Sequence, residues 1–254
     1  MLDQHVYMQR INKVNYFVNI DWAEVKTERF WYKNEWLTTH LMNTYSILVP
    51  EFERFIVKSL KSYESEIVDP RLKQRLQHFY TEECAHSLQH ARFNQDLKRH
   101  NYPIDFILNL LKKGSQILNK IFSKKSKLAM SVAFEHLTVL SVNVAFEQQI
   151  FEIDSSAIHD LWLWHGYEER NHRAFLMEVY DAIGGGYVRR CLTLMFSAFL
   201  IFMCCLPFFM SILVVADMRQ GKKLSVQHIK IYLKSLWQMK GMISAYFKYF
   251  SIHI

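Results

Sequence analysis

Glycine and proline are scarce in this chain, with 7 and 4 of its 254 residues respectively. Both residues interrupt helices, and apolar residues recur at helical spacing almost throughout, so the pattern predicts an all-α fold. A chain of this length can bury a substantial core. There is no glycine-rich loop of the kind that cradles phosphate, and the cluster Gly184–Gly186 is typical of a helix stop.

Cysteine is also sparse, and its spacing fits neither a disulfide framework nor a zinc knuckle. This favours a reduced, intracellular compartment. The amino-terminal residues, Met1 to His5, lack the apolar core of a signal peptide. The formal charge is +7, but no basic helix is interleaved with stacking aromatic residues, so nucleic acid is not an expected partner.

The run Leu192–Ala216 contains no charged residue. It is long enough to span a bilayer, because a transmembrane helix needs roughly 20 apolar residues. Three interpretations remain open: one transmembrane helix, a hairpin bent at Pro207 within one leaflet, or a buried helix capping the rest. Lysines among apolar and aromatic residues in 222–254 predict an amphipathic helix on an anionic membrane surface. We therefore expect a helical unit at 1–186, an apolar unit at 187–254, and attachment to the cytoplasmic membrane.

Two Glu-x-x-His motifs lie in long helical stretches, Glu83 with His86 and Glu169 with His172. On a helix, side chains three residues apart share a face. Two such pairs, with one inward Glu from each of two further helices, form the ligand set of di-iron and di-manganese carboxylate proteins. Buried carboxylates and imidazoles without partners are destabilising, and metal binding satisfies them.

Glu53 and Glu135 are the predicted glutamates of the other two helices. The helical neighbours of Glu53 are apolar, whereas those of Glu51 include Arg54, so Glu53 is the better ligand. Glu135 shares its face with valines, while Glu147 is rotated away from that face. The predicted ligands of two metal ions are Glu53, Glu83, His86, Glu135, Glu169 and His172.

Turn signals divide the first unit into segments. We expect four helices, at about 35–63, 71–99, 128–151 and 157–182. A partly helical, lysine-rich connection at 104–126 should join the second helix to the third. Glu53 and Glu83 lie about equally far from the turn at 65–70, and Glu135 and Glu169 lie about equally far from the turn at 152–156. Each pair is therefore expected at a similar depth in its hairpin. The longer gap from Glu83 to Glu135 indicates two hairpins joined by a long crossover. This is the architecture of ferritin-like four-helix bundles, here followed by an apolar helical segment.

Three more histidines are expected near the metals in catalytic or supporting roles. His90 and His165 share the stripes of the two motifs, and His136 adjoins Glu135. For His165, a ligand, a proton shuttle and a supporting hydrogen-bond donor all remain open. Glu82 and Glu168 point away from the ligand face and are expected in solvent or as supporting groups. The remaining histidines, among them His40, are expected at the surface or in simple hydrogen bonds.

The ligand set allows more than one chemistry. Oxygen ligands and neutral imidazole suit iron first and manganese second, and the main expectation is O2-dependent oxidation of a small hydrophobic or acyl-type substrate. The alternative is hydrolysis, in which two metals lower the pKa of a bridging water. A second alternative is a non-catalytic, membrane-associated metal-binding bundle. The sequence is compatible with a homodimer.

Four stretches carry a resemblance to a known family. They are Pro50–Phe55, Phe79–Glu83 with His86, His90 and Asn94, Phe134–His136, and Trp164-His165 leading to Glu169 and His172. Over roughly residues 15–215 the chain resembles the bacterial predicted metal-dependent hydrolases. The resemblance implies similarity to ferritin-like di-iron proteins. Members typically have glycine where this chain has Phe52, a change that leaves ligation intact but crowds the site.

Overall fold

The computed structural model describes residues 20–151, 156–238, 241–248 and 250. Within those residues the chain is helical and has no strand, which confirms the all-α prediction. The helices are α1 Trp36–Lys61, α2 Pro70–Leu97, α3 Ile104–Ile121, α4 Lys124–Glu147, α5 Ser156–Ala182, α6 Tyr187–Ala198, α7 Leu206–Arg219, α8 Val226–Gln238 and α9 Gly241–Lys248. A π-helical segment, Phe199–Cys205, joins α6 to α7.

Four of the helices surround one core. Helix α1 packs against α2 and α4, and α5 packs against α2 and α4. These pairs correspond to two hairpins, α1–α2 and α4–α5, with α3 in the connection between them. The likeness of this arrangement to ferritin stays a prediction.

Local sequence signals explain where these helices begin and end. The Asp69 side chain accepts a hydrogen bond of 2.8 Å from the Arg71 amide and caps α2, whose first residue is Pro70. After α5, Gly184 takes the left-handed conformation with φ 68°, which glycine adopts without strain. The predicted break at residues 154 and 155 lies outside the described residues.

The connection between the hairpins is more ordered than predicted. Residues 104–121 form the full helix α3, which buries Ile104, Ile107 and Leu111 on one face. Helix α4 begins at Lys124, earlier than expected, because the Ser123 side chain caps it by accepting from the Ser126 amide. It also ends earlier, at Glu147. The lysines of this region lie at positions that an amphipathic helix exposes, so composition alone understated its helicity.

The segment predicted as a second unit contains one long apolar helix, Tyr187–Arg219, here called the apolar rod. Two helices of the described chain are long and apolar enough to cross a membrane, Lys124–Glu147 and the rod. In their most apolar stretches, 83% of the first is buried in the protein and 28% of the rod. The predicted hairpin at Pro207 is not observed, because the rod continues through the π-helical segment. Proline lacks an amide proton, and π winding just before it accommodates that loss.

The rod lies along the bundle. Its first part, α6, packs on α4, and its last part, α7, packs on α1. Leu194 and Leu213 face the bundle and are fully buried, whereas Leu192, Phe199 and Met203 face outward with about 60% of each residue exposed. The rod is therefore buried on one face and exposed on the other, and its contact with a membrane stays a prediction.

A buried ionic cluster fixes the carboxyl end of the rod. Asp217 is fully buried, pairs with Arg29, and lies 2.8 Å from His40 Nε2. The Tyr102 hydroxyl lies 3.5 Å from the same carboxylate. Burial raises the pKa of Asp217, but His40 and Arg29 outweigh that effect and lower it below its ordinary value. His40 is thus in the core, which corrects the alternative that placed it at the surface.

Candidate metal centre

The two Glu-x-x-His motifs face each other across the interface of α2 and α5. His172 Nδ1 lies 2.8 Å from Glu83 Oε1, and His86 Nδ1 lies 3.7 Å from Glu169 Oε1. All four side chains are buried, since at most 3% of each residue is exposed. Each motif therefore presents its imidazole to the carboxylate of the other motif.

Helices α1 and α4 complete the cluster. Glu53 of α1 lies 3.8 Å from His86 Nδ1, and Glu135 of α4 lies 3.8 Å from His172 Nδ1. The structure thus brings together the six side chains that the sequence predicted as ligands. Glu51 instead pairs with Arg54 on α1, and Glu147 is exposed.

Two sets of four donor atoms are compact enough to hold metal ions, with all atoms of each set within 4.8 Å of one another. One set is Glu53, His86, His165 and Glu169, and the other is Glu83, His86, Glu169 and His172. His86 and Glu169 belong to both sets. The sets include His165, for which the sequence left a ligand role open beside two others, and leave Glu135 beside the second set.

The donor atoms fit a metal because hydrogen bonds leave most of them unsatisfied. Both carboxylate oxygens of Glu53 and of Glu83 are buried without a hydrogen-bond partner, as is Nδ1 of His86 and of His172. The 2.8 Å contact of His172 with Glu83 thus lacks hydrogen-bond geometry. Converging lone pairs of carboxylates and imidazoles are destabilising in a protein interior, whereas a divalent cation is stabilised by them.

Buried carboxylates crowd the cluster. Burial lowers the pKa of His172, but the charges of Glu169 and Glu83 outweigh that effect and hold this pKa well above its ordinary value. Burial and the charges of Glu83 and Glu169 raise the pKa of Glu53 well above its ordinary value. Burial and the same kind of repulsion raise the pKa of Glu135. Burial also raises the pKa of Glu169, but His172 and His165 outweigh it and hold that pKa well below its usual range. The carboxylates therefore compete for protons that metal ions would replace.

A second pair of carboxylates orients the ligand histidines from outside. His86 Nε2 lies 2.8 Å from Glu168, and His172 Nε2 lies 3.4 Å from Glu82. Each supporting Glu precedes the motif on the opposite helix, so the sequence Glu-Glu-x-x-His occurs twice. An outer carboxylate holds a ligand imidazole in one tautomer and orientation. The sequence left both solvent and this supporting role open for Glu82 and Glu168, and the contacts across the two helices favour support.

A buried hydrogen-bond chain fixes the proton positions of His90 and His165. The Asn94 side-chain amide donates a hydrogen bond of 3.0 Å to the Ser46 carbonyl. That carbonyl lacks its usual helical donor because the residue four positions later is Pro50, which has no amide proton. Asn94 Oδ1 therefore faces the Ser46 hydroxyl and accepts its proton at 2.9 Å. The Ser46 oxygen then accepts from His90 Nδ1 at 2.8 Å.

The chain continues to the metal cluster. With its proton on Nδ1, a neutral His90 accepts at Nε2 from His165 Nδ1, 2.7 Å away. Burial keeps the pKa of His90 well below its ordinary value, so the ring is neutral. His165 Nε2 is therefore the nitrogen that faces the cluster, hydrogen-bonded to Glu169 at 2.8 Å and 3.6 Å from Glu53. Of the three roles left open for His165, this geometry favours the ligand.

His136 belongs to a neighbouring contact. It is buried, and its Nδ1 lies 3.3 Å from Arg173 Nη1 on α5. Burial and the charges of Arg173 and Arg190 lower its pKa to about 3. His136 thus contacts α5 through Arg173, beside the cluster, and its catalytic role stays a prediction.

Fold and site together define the class of this protein as an all-α protein with a buried candidate metal centre. The chain belongs to the family described as predicted metal-dependent hydrolase, whose profile matches residues 17–253. The matched range includes the whole apolar rod and α8, whereas the resemblance in the motifs extended only to about residue 215. No curated protein and no solved structure matches the chain. The family description favours hydrolysis, and oxygen-dependent oxidation, the main expectation from the ligand set, has no support from it.

Proposed function

We propose that this chain is a metal-dependent hydrolase with a two-metal centre. The proposal rests chiefly on the convergence of unpaired buried carboxylate and imidazole atoms from four helices, in a chain of a predicted hydrolase family. The two sets share Glu169, whose carboxylate can bridge two ions, and His86, whose Nδ1 can bind only one ion. The other ligands would be Glu53 and His165 for one ion and Glu83 and His172 for the other. Glu135 stands beside the second set and completes the predicted ligands.

Bound divalent ions would lower the pKa of coordinated water and polarise a carbonyl or phosphoryl oxygen. The protein itself supplies orientation and proton control. Glu168 and Glu82 hold the outer nitrogens of His86 and His172, and His90 holds Nδ1 of His165. Without metal, Glu53 and Glu135 are the cluster carboxylates that burial and repulsion hold most strongly in the protonated form.

Metal content tests the ligand set. We expect two ions per chain, with Glu83→Ala and Glu169→Ala each losing metal while helical content, measured by circular dichroism, is retained. Glu147→Ala, at an exposed position of α4, is the control and should keep both ions. Full metal occupancy in both ligand variants would rule out this assignment.

Oxygen dependence tests the reaction class. A hydrolase should act on ester or phosphoester substrates in the absence of O2 and should tolerate zinc or manganese. An oxidase or oxygenase should consume O2 in the reduced iron form and be inactive with zinc, which has no redox chemistry. Substrate-stimulated O2 uptake without anaerobic activity would reverse our choice.

We also propose that the chain attaches to an anionic membrane surface from the cytoplasmic side. The exposed stripe of the rod and the lysines of the following segment support this proposal. Leu192, Met195, Phe199 and Met203 are each more than half exposed along that stripe. Helix α8 adds exposed Leu233 and Trp237 among its lysines. Because the rod packs along the bundle, we propose attachment on the surface rather than a membrane span.

A further inference from the structure

An apolar cavity extends from the metal cluster into the bundle. Glu53, Glu135, His165 and Glu169 line one end of it, and Ile201 and Phe202 of the π-helical segment line another part. Its volume is about 140 Å³. Apart from that metal end, its described lining is chiefly aliphatic and aromatic, with a few hydroxyl groups. The cavity thus joins a polar, reactive end to an apolar body.

The cavity is elongated along the bundle axis. On α4 its lining continues from Glu135 through Thr138 and Ser141 to Ala145, one stripe of small side chains. The helix rises about 15 Å over that stretch at 1.5 Å per residue. On α1 the lining runs from Glu53 to Thr38, where the Thr38 and Ser235 hydroxyls lie 3.3 Å apart. This shape suits a linear group.

The volume limits what the cavity accepts. Dry apolar cavities of about 150 Å³ bind a molecule of the size of benzene, or about six carbon atoms. The few polar groups in the wall, such as Thr138 and Ser141, do not form a site for a charged ligand. A short hydrocarbon chain therefore matches the cavity in size, shape and polarity.

We propose that this cavity binds the hydrocarbon chain of a short linear acyl ester or amide, with the carbonyl group at the metal end. The substrate class rests on the proposed hydrolase function, whereas chain binding by the cavity does not. Ile201 and Phe202 line the cavity from the rod, whose opposite face exposes Phe199 and Met203.

Photolabelling of the full chain in lipid nanodiscs tests chain binding without reference to activity. The probe is a hexanol that carries a diazirine, and mass spectrometry locates the labelled residues. We expect labels on cavity residues such as Tyr45 and Trp162, and competition by unlabelled hexanol. Thr138→Phe fills the cavity and should lower this labelling by about tenfold. Thr81→Phe, the same change at an exposed position of α2, should leave it unchanged.

Ser141→Leu repeats the test one turn further along α4 if Thr138→Phe does not fold. Labels confined to the outer face of the rod, or cavity labelling that is equal in the wild type and a folded filled variant, would overturn the proposal.

A parallel assay with acetyl and hexanoyl nitrophenyl esters separates this proposal from the proposed function. Thr138→Phe should lower the hexanoyl-to-acetyl rate ratio by about tenfold, because the chain no longer fits. Blocked labelling with no hydrolysis of any ester would retain the cavity proposal and refute the hydrolase. If the esters are hydrolysed but Thr138→Phe changes neither the hexanoyl-to-acetyl ratio nor the labelling, the hydrolase is retained and the cavity proposal is refuted.

Discussion

At the scale of single residues, the candidate centre is shaped by groups that do not face the metals. Glu82 and Glu168 are each one residue before a motif, and each supports the histidine of the opposite helix. The six predicted ligands were readable because helical periodicity places them on inward faces. The partner of an outer carboxylate lies on another helix, so local spacing could not choose between solvent and support for Glu168.

Loss of an outer carboxylate should weaken metal binding. We expect Glu168→Ala to lower metal affinity by about 10–100-fold, because His86 is then free to rotate or change tautomer. Isothermal titration with zinc or manganese measures the effect. Glu178→Ala is the matched control on α5, since that glutamate is half exposed and pairs with Arg75. Equal affinities in the two variants would show that Glu168 has no orienting role.

Crowded carboxylates should make the metal-free protein sensitive to pH. The folded-state pKa of Glu53 lies above its unfolded value of about 4.3, so folding favours the protonated form. The contribution of Glu53 to stability therefore falls as pH rises above that value, by at most about 1.4 kcal/mol per pH unit until its folded pKa is reached.

Glu53→Gln should consequently stabilise the metal-free protein relative to wild type, increasingly from pH 5 toward neutrality. Urea unfolding at a series of pH values in the presence of a chelator measures the difference. With metal present the sign should reverse, because a ligand has been lost. A stability difference independent of pH would contradict the proposed repulsion.

At the scale of elements, the rod is the part that sequence reasoning described least completely. Hydropathy identified its extent, but its burial on one face follows from contacts with α4 and α1, which are distant in sequence. The same holds for His40 and Asp217, which are far apart in the chain and meet only when the rod docks. By contrast, α1, α2 and α5 followed from caps, turns and periodicity, which are local properties.

The ionic cluster at Asp217 should hold the rod on the bundle. Asp217→Ala leaves His40 buried and Arg29 partly buried without their partner, and we expect a loss of about 3 kcal/mol in unfolding free energy. Because its folded pKa is lowered, the contribution of Asp217 is present above its unfolded pKa of about 3.9 and is lost as pH falls through the folded pKa. Chemical denaturation measures both effects. Asp105→Ala, which removes an exposed partner of Lys98, should change stability by less than about 1 kcal/mol.

At the scale of the whole molecule, many of the exposed large apolar side chains lie on the outer face of the rod and on α8. Two stabilising contributions act together at a lipid surface, burial of apolar area and attraction of lysines to anionic headgroups. The net charge of +7 has the sign that the second contribution requires.

Met195→Glu should therefore weaken binding to anionic phospholipid vesicles severalfold in a sedimentation assay, and high salt should weaken binding of the wild type. Leu88→Glu places the same charge on α2, at an exposed apolar residue outside the rod, and serves as the control. Equal loss of binding in both variants would indicate a general charge effect rather than a membrane-facing stripe.

Pro50 links the backbone hydrogen bonding of α1 to the proton position of a buried histidine. Its missing amide proton frees the Ser46 carbonyl for Asn94, and Asn94 in turn fixes the proton order as far as His165. In Pro50→Ala the helix would reclaim that carbonyl, and the Asn94 amide could turn over. Nitrogen NMR of His165 should then show a mixture of tautomers in place of one. The tautomer of His165 thus depends on Pro50, which acts through Asn94, Ser46 and His90.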